Sequence, residues 1–91
     1  SVEETNAPAD LVVYPNPVLN GEMRIVLDAD VRNARLSIHD MSGKLVLQEQ
    51  VSGSGSLALL PVDVSALQQG LYMVRLNAGT RVFMTRVVIG G

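Results

Sequence analysis

Residues 65–76, which read SALQQGLYMVRL, decide the fold. Ser65 is a favourable N-cap because its hydroxyl can accept a hydrogen bond from a free backbone N–H, so we expect a single helical turn to begin there. Gly70 suits the left-handed conformation that ends such a turn. The residues from Tyr72 onward alternate, which predicts a strand with the tyrosine, Val74 and Leu76 on one face.

Leu67, Gly70 and Tyr72 resemble the tyrosine corner of immunoglobulin-like β-sandwiches. In that corner, a tyrosine at the start of a strand donates its hydroxyl hydrogen to a backbone carbonyl a few residues upstream. We therefore expect Tyr72 to be buried, with its hydroxyl bonded to backbone near Leu67.

The rest of the chain consists of short apolar or alternating segments separated by turn sequences such as Asn20-Gly21. The predicted strands are residues 11–14, 22–27, 34–39, 44–51, 57–62, 72–76 and 80–89. The segment 57–62 is expected to end near Pro61, and Arg35, Ser37 and His39 are expected to point outward. This pattern indicates an all-β fold, a seven-stranded immunoglobulin-like antiparallel β-sandwich.

The N-terminal region is read in two parts. Residues 1–10 (SVEETNAPAD) are polar and are predicted to form a flexible linker in front of a sandwich that spans residues 11–91. Pro15 and Pro17 hold Tyr14 and Asn16 out of the helical region, which predicts that residues 12–18 form a stiff extended rod at a sheet edge.

Composition excludes several classes of function. The 91 residues, 47% of them apolar, suit one small domain with its own core. A net charge of −2 argues against nucleic-acid binding, and the lack of cysteine excludes a disulfide framework. No apolar run approaches the ~20 residues of a membrane helix, so the chain is not expected to span a membrane. Ser1 begins no signal peptide, so for an exported protein we expect that signal upstream of this chain.

The sequence predicts no catalytic residue, no cofactor and no metal. His39 is the only histidine, and no serine lies in a nucleophile elbow, so a catalytic triad is not expected. Asp28, Asp30 and Asn33 form an acidic segment, but the glycine and bidentate glutamate of a calcium loop are missing at the required offsets. We expect an ordinary turn there.

Five motifs follow one another along the chain. They are VYPNP at 13–17, LSIHDMSGK at 36–44, VDVSAL at 62–67, GLYMVR at 70–75 and RVVI at 86–89. Taken together and in this order, they resemble the C-terminal sorting domain of cargo proteins of the type IX secretion system. The resemblance covers the chain from Leu11 to Ile89.

The resemblance implies a sorting signal at the end of a larger exported protein, without enzyme activity of its own. The outer-membrane translocon and its shuttle protein would carry the cargo from the periplasm to the cell surface or the medium. A surface sortase would then cut in the linker before the sandwich and commonly join the cargo to an anionic lipopolysaccharide.

The family's recognition elements fall on three stretches of this chain: Tyr14, Pro15, Asn16 and Pro17; Gly70 and Tyr72; and Arg86, Val87, Val88 and Ile89. The family often has paired lysines where this chain has Thr85-Arg86. In the last strand, Met84 and Arg86 are expected to point outward and a free strand edge to offer pairing to a partner. The alternative is an immunoglobulin-like accessory or adhesion module with no export role, in which the same residues serve only the fold.

Overall fold

Two β-sheets pack face to face in the computed structural model, which describes residues 9–27, 31, 33–52 and 58–90. The strands are β1 (Ala9–Asp10), β2 (Val13–Tyr14), β3 (Glu22–Leu27), β4 (Ala34–Asp40), β5 (Leu45–Val51), β6 (Ala58–Asp63), β7 (Gly70–Ala78) and β8 (Arg81–Ile89). One sheet has the order β1-β8-β7-β4-β5 and the other β2-β3-β6. Neighbouring strands are antiparallel except β1 and β8. The predicted all-β sandwich is confirmed, and these ranges contain no helix.

The strands β2 to β8 correspond to the seven predicted segments, and β1 is an additional one. The sequence pattern places Ala9 and Asp10 in the linker, but they pair with Phe83 and Met84 of β8, so the sheet begins two residues earlier than the pattern predicts. Residues 1–8 lie outside the described part of the chain. Pro61 does not end its strand: it lies within β6 and pairs with Arg24. An edge strand such as β6 tolerates a residue without a backbone donor.

The core follows the predicted alternation on both sheets. Fully buried side chains from both sheets meet in it: Met23, Ile25, Leu27, Leu36, Ile38, Val62, Val74, Leu76 and Val87. Ser37 was predicted to be exposed but is only 8% exposed. It lies in the middle of the outer sheet face, in register with Gln48 and Arg75, where long neighbouring side chains can cover a small residue.

A β-bulge explains three consecutive apolar residues in β5. The register with β4 shifts between Ile38 and His39, so that Leu47 pairs with Ile38 and Leu45 with His39. Val46 is left without a partner in the ladder, and both Val46 and Leu47 pack against the core. A bulge places one extra residue against its neighbour strand and thereby changes which side chains face inward.

The tyrosine corner is present, and its turn differs from the prediction. Tyr72 is 7% exposed, and its hydroxyl donates to the carbonyl oxygen of Gln68 at 2.7 Å. Ser65 caps no helix: its hydroxyl donates to Asp63 Oδ1 at 2.7 Å within a turn closed by Leu67 N–H and Val64 O. Gly70 is the first residue of β7 and does not end a helical turn.

Gly21 anchors this turn to the start of β3. Its carbonyl accepts a hydrogen bond from Val64 N–H at 2.8 Å, and its φ is +74°. A Cβ at this position would lie 2.9 Å from the Cβ of Ser65. Positive φ and close approach both require glycine here, so Asn20-Gly21 is a turn and a packing contact.

Tyr72→Phe should lower the free energy of unfolding by about 1 kcal/mol, because the carbonyl of Gln68 loses its partner while the ring stays in place. Denaturant unfolding measures this difference. Tyr14→Phe is the matched control, since Tyr14 is 38% exposed. Equal losses in the two variants would contradict the corner as a stabilising contact.

Two aspartates should make the stability of the folded state decrease at acid pH. Hydrogen bonds from the Ser42 hydroxyl and then the Lys44 N–H hold the pKa of Asp40 below its ordinary value, and the Ser65 hydroxyl does the same for Asp63. A carboxyl whose pKa is lower in the folded state stabilises it above the unfolded value of 3.8 and loses that contribution as pH falls through the folded pKa.

Asp40→Asn and Asp63→Asn should therefore flatten the fall in melting temperature on the acid side of about pH 4. Melting curves over this range measure the effect, with Glu49→Gln, at an exposed position, as the control. If the carboxyl groups of Asp40 and Asp63 titrate with ordinary pKa values in the folded protein, they are not the origin of its acid sensitivity.

Candidate functional site

The three predicted recognition stretches meet around the end of β8 in the five-stranded sheet. Gly70 pairs with Ile89, Leu71 with Val88, and Tyr72 with Val87, so two of the stretches form adjacent ends of β7 and β8. The third, Tyr14 to Pro17, begins in a strand of the other sheet and reaches the other side of β8 through the side chain of Asn16. Residues that are more than 50 positions apart in sequence thus form one site.

The N-terminal segment covers the edge of β8 that does not face β7. First β1 pairs with β8, and Leu11 N–H donates to Met84 O at 3.3 Å. The chain then crosses to the other sheet, where β2 pairs with β3. It returns at Val18, which forms a parallel bridge with Ile89. The segment therefore leaves β8 between residues 11 and 18 and rejoins it.

The side chain of Asn16 fills the interval that the backbone leaves open. Its Nδ2 donates to Arg86 O at 3.2 Å, and its Oδ1 accepts from Val88 N–H at 3.0 Å. Val18 N–H then donates to Val88 O at 2.7 Å, and Gly90 N–H donates to Val18 O at 2.8 Å. A carboxamide has the donor and acceptor of a peptide group, so Asn16 acts as a neighbouring strand would.

Two predictions about these stretches are wrong in this structure. Residues 15–17 do not form an extended rod: they bend, with cis peptide bonds before Pro15 and Pro17, and cross between the sheets. The last strand has no free edge here either, because Asn16 and Val18 bind its outer side. Strand pairing by a partner would require this segment to leave β8.

Exposure divides the candidate residues into two groups. Tyr72, Val87 and Ile89 are buried and hold the strands to the core. Pro15, Asn16, Pro17, Gly70 and Arg86 are exposed, as are Tyr14 (38%) and Val88 (43%). Sequence reasoning missed Val18, which is fully buried, and Leu71, which is 38% exposed opposite Val88. An apolar residue directly after the second proline was the available signal for Val18.

The described part of the site consists of exposed side chains and hydrogen-bonding groups. No group of three or more histidine, aspartate or glutamate side chains in the described ranges could hold a metal ion. Asp28 and Asp30 of the acidic segment lie outside those ranges, and Asn33 N–H donates to Ser52 Oγ at 3.1 Å. Within the described residues, no helix is long and apolar enough to cross a bilayer.

Asn16→Ala should lower the free energy of unfolding by about 0.5–1.5 kcal/mol, because Arg86 O and Val88 N–H lose partners that water replaces only in part. Denaturant unfolding measures the loss. Asn20→Ala removes an equal carboxamide from an exposed position in the same segment and is the control. The claim fails if the two variants are equally stable.

Two known proteins are similar to this chain, one in fold and the other in sequence. PorZ, an essential surface component of the type IX secretion system of Porphyromonas gingivalis, contains a similar fold, with a TM-score of 0.65 and 18% identity over 89% of this chain and 11% of that one. A funoran endo-beta-hydrolase of Wenyingzhuangia aestuarii is 27% identical over 71 residues, which are 78% of this chain. The aligned part is 9% of the hydrolase, so the chain corresponds to a small portion of that relative.

A family model covers nearly the whole sandwich. It is that of the secretion system C-terminal sorting domain, and it matches residues 12–90. The match includes every predicted recognition residue and confirms the resemblance derived from the ordered motifs. The chain belongs to the family of secretion system C-terminal sorting domains.

Proposed function

We propose that this domain is the signal by which the type IX secretion system exports an attached cargo, and that the folded site around β8 is what the machinery recognises. The observation that carries the proposal is the meeting of the three motif stretches around β8, where β7 pairs with one side and the Asn16 side chain bonds to the other. The outer-membrane translocon and its shuttle protein are the proposed partners. The cargo passes through the periplasm and ends at the cell surface or in the medium.

A sorting signal is expected to be small beside the cargo that it carries, and the comparisons support this proportion. The aligned parts are 9% of the hydrolase and 11% of PorZ, so in both proteins the similar segment accompanies a much larger remainder. A small domain that carries a signal for a large attached protein fits this proportion. An accessory or adhesion module fits it equally well, so the two functions must be separated by a transport experiment.

A surface sortase is proposed to release the cargo by cutting in the predicted linker. Ala9 and Asp10 pair with β8, and Leu11 N–H is bonded to Met84 O. Backbone that is hydrogen-bonded in a sheet is a poor protease substrate compared with an exposed tip or terminus. The cut is therefore expected before Ala9, in residues 1–8.

A reporter with an export signal, fused in front of Ser1, should reach the surface of a type IX–competent cell and lose the domain by cleavage before Ala9. Surface labelling measures delivery, and mass spectrometry of the released domain gives the cut site. A wild-type fusion that stays uncut in the periplasm would contradict the proposal and favour the accessory module.

Within the same experiment, Arg86→Glu should weaken delivery without lowering the melting temperature, because Arg86 is exposed beside the bond from Asn16 to its carbonyl. Lys44→Glu makes the same charge change in the exposed β4–β5 turn and is the control. Equal delivery by the two variants would remove Arg86 from the recognition site.

A further inference from the structure

Three arginines lie on the outer face of the five-stranded sheet although the whole chain is negative. Arg35 on β4, Arg75 on β7 and Arg86 on β8 are all exposed on this face, while the net charge of the chain is −2. The outward positions of β4, β7 and β8 hold no aspartate or glutamate, but Asp40 lines a shallow groove on this face and Asp10 of β1 is in register with Met84. The carboxylate of Asp40, at the end of β4, already accepts hydrogen bonds from Ser42 and Lys44.

The three arginines form a diagonal across neighbouring strands. Arg75 pairs with Ser37 and with Met84, so Arg35 and Arg86 each lie two residues from the position directly opposite it. Diagonal neighbours of this kind have Cβ atoms about 7–8 Å apart, which long side chains can span. None of the three arginines has an ion-pair partner within the described part of the chain. Their mutual repulsion is therefore not relieved there.

Apolar and polarisable side chains accompany the arginine diagonal. The shallow groove on this face is lined by His39, Asp40, Met41, Gly43, Met73, Arg75 and Met84. Leu71 and Val88 lie at one end of the same face and are 38% and 43% exposed. Methionine side chains adapt to different partner shapes, and methionine and arginine are enriched in protein–protein interfaces, where lysine, aspartate and glutamate are depleted.

We propose that the outer face of this sheet, with the arginine diagonal at its centre, docks on a folded protein surface that presents carboxylates beside apolar side chains. Unpaired arginines select carboxylates, with which a guanidinium forms paired hydrogen bonds. The methionine groove and the Leu71–Val88 pair supply the apolar contact. The inference rests on the proposed function, and it extends the recognition site from Arg86 to Arg75 and Arg35.

A protein occupant fits this face better than an anionic lipid surface does. Lipid-binding patches are built from clustered lysines and arginines on helices or tails, and tryptophan or tyrosine marks the interface level. Here the charges lie on a sheet, and the outward positions of β4, β7 and β8 hold no aromatic residue. Three spaced arginines around a methionine groove instead match the composition of a protein interface.

The test uses the reporter fusion in a type IX–competent cell, with a photo-cross-linking amino acid at Met84 in the groove. A second fusion carries it at Leu59, which is 54% exposed on the other sheet, as the control position. Three forms of the domain are compared: the wild type, the triple variant Arg35→Glu/Arg75→Glu/Arg86→Glu, and the variant Lys44→Glu. The triple variant with glutamine at the same three positions serves if the glutamate variant does not fold.

We expect Met84 to cross-link to a protein through a peptide that contains aspartate or glutamate, and Leu59 not to cross-link to it. The triple glutamate variant should lower both this cross-link and reporter delivery at least about tenfold, because it replaces attraction by repulsion. Lys44→Glu should leave both unchanged. The glutamine variant should melt at or above the wild-type temperature, since it removes like-charge repulsion, and should still deliver less reporter.

Other outcomes overturn the inference. They are a cross-link from Met84 to lipid, to polysaccharide or to a second copy of this chain, a cross-link from Leu59 alone, or export that is insensitive to all three arginines. Export of the wild-type fusion separates the two failures. If it is exported while the arginine variants behave like Lys44→Glu, only the docking face is wrong; if it is not exported, the proposed function fails and the inference falls with it.

Discussion

Hydrogen bonding along the outer edge of β8 is the constraint on which the rest of the site depends. That edge would otherwise present unpaired N–H and C=O groups, which invite pairing with another chain. Residues 9–18 cover it with backbone at Leu11 and Val18 and with the Asn16 side chain between them. Because the chain crosses to the other sheet in this interval, one segment closes the edge of β8 and adds β2 to the three-stranded sheet.

This arrangement divides the motif residues into those that stabilise the fold and those that are accessible on the surface. Tyr72, Val87 and Ile89 hold β7 and β8 to the core, whereas Pro15, Pro17, Arg86 and Val88 lie on the surface of the same unit. Under the proposed function, the signal exists only in the folded domain, since no short peptide contains all three stretches. Substitutions in the buried group act through folding, and only those in the exposed group can test recognition.

Local patterns predicted much of the fold. Alternation placed Met23, Ile25 and Leu27 in the core, and the tyrosine corner located the buried hydroxyl of Tyr72 within one residue of its acceptor. The errors come from contacts that are distant in sequence. Asn16 bonds to residues 70 and 72 positions away, and no local rule indicates that its side chain replaces a strand. The same holds for Ser37, whose burial depends on side chains of β5 and β7.

Amide hydrogen exchange at Val88 tests the central claim most directly. The Val88 N–H points away from β7, and its acceptor is the side-chain oxygen of Asn16 at 3.0 Å. If residues 9–18 cover β8 in solution, this amide should exchange at a rate close to that of the neighbouring amides that pair with β7, and Asn16→Ala should accelerate it selectively. Exchange of the wild-type amide at the rate of an unfolded chain would contradict the account, because the outer edge of β8 would then be open.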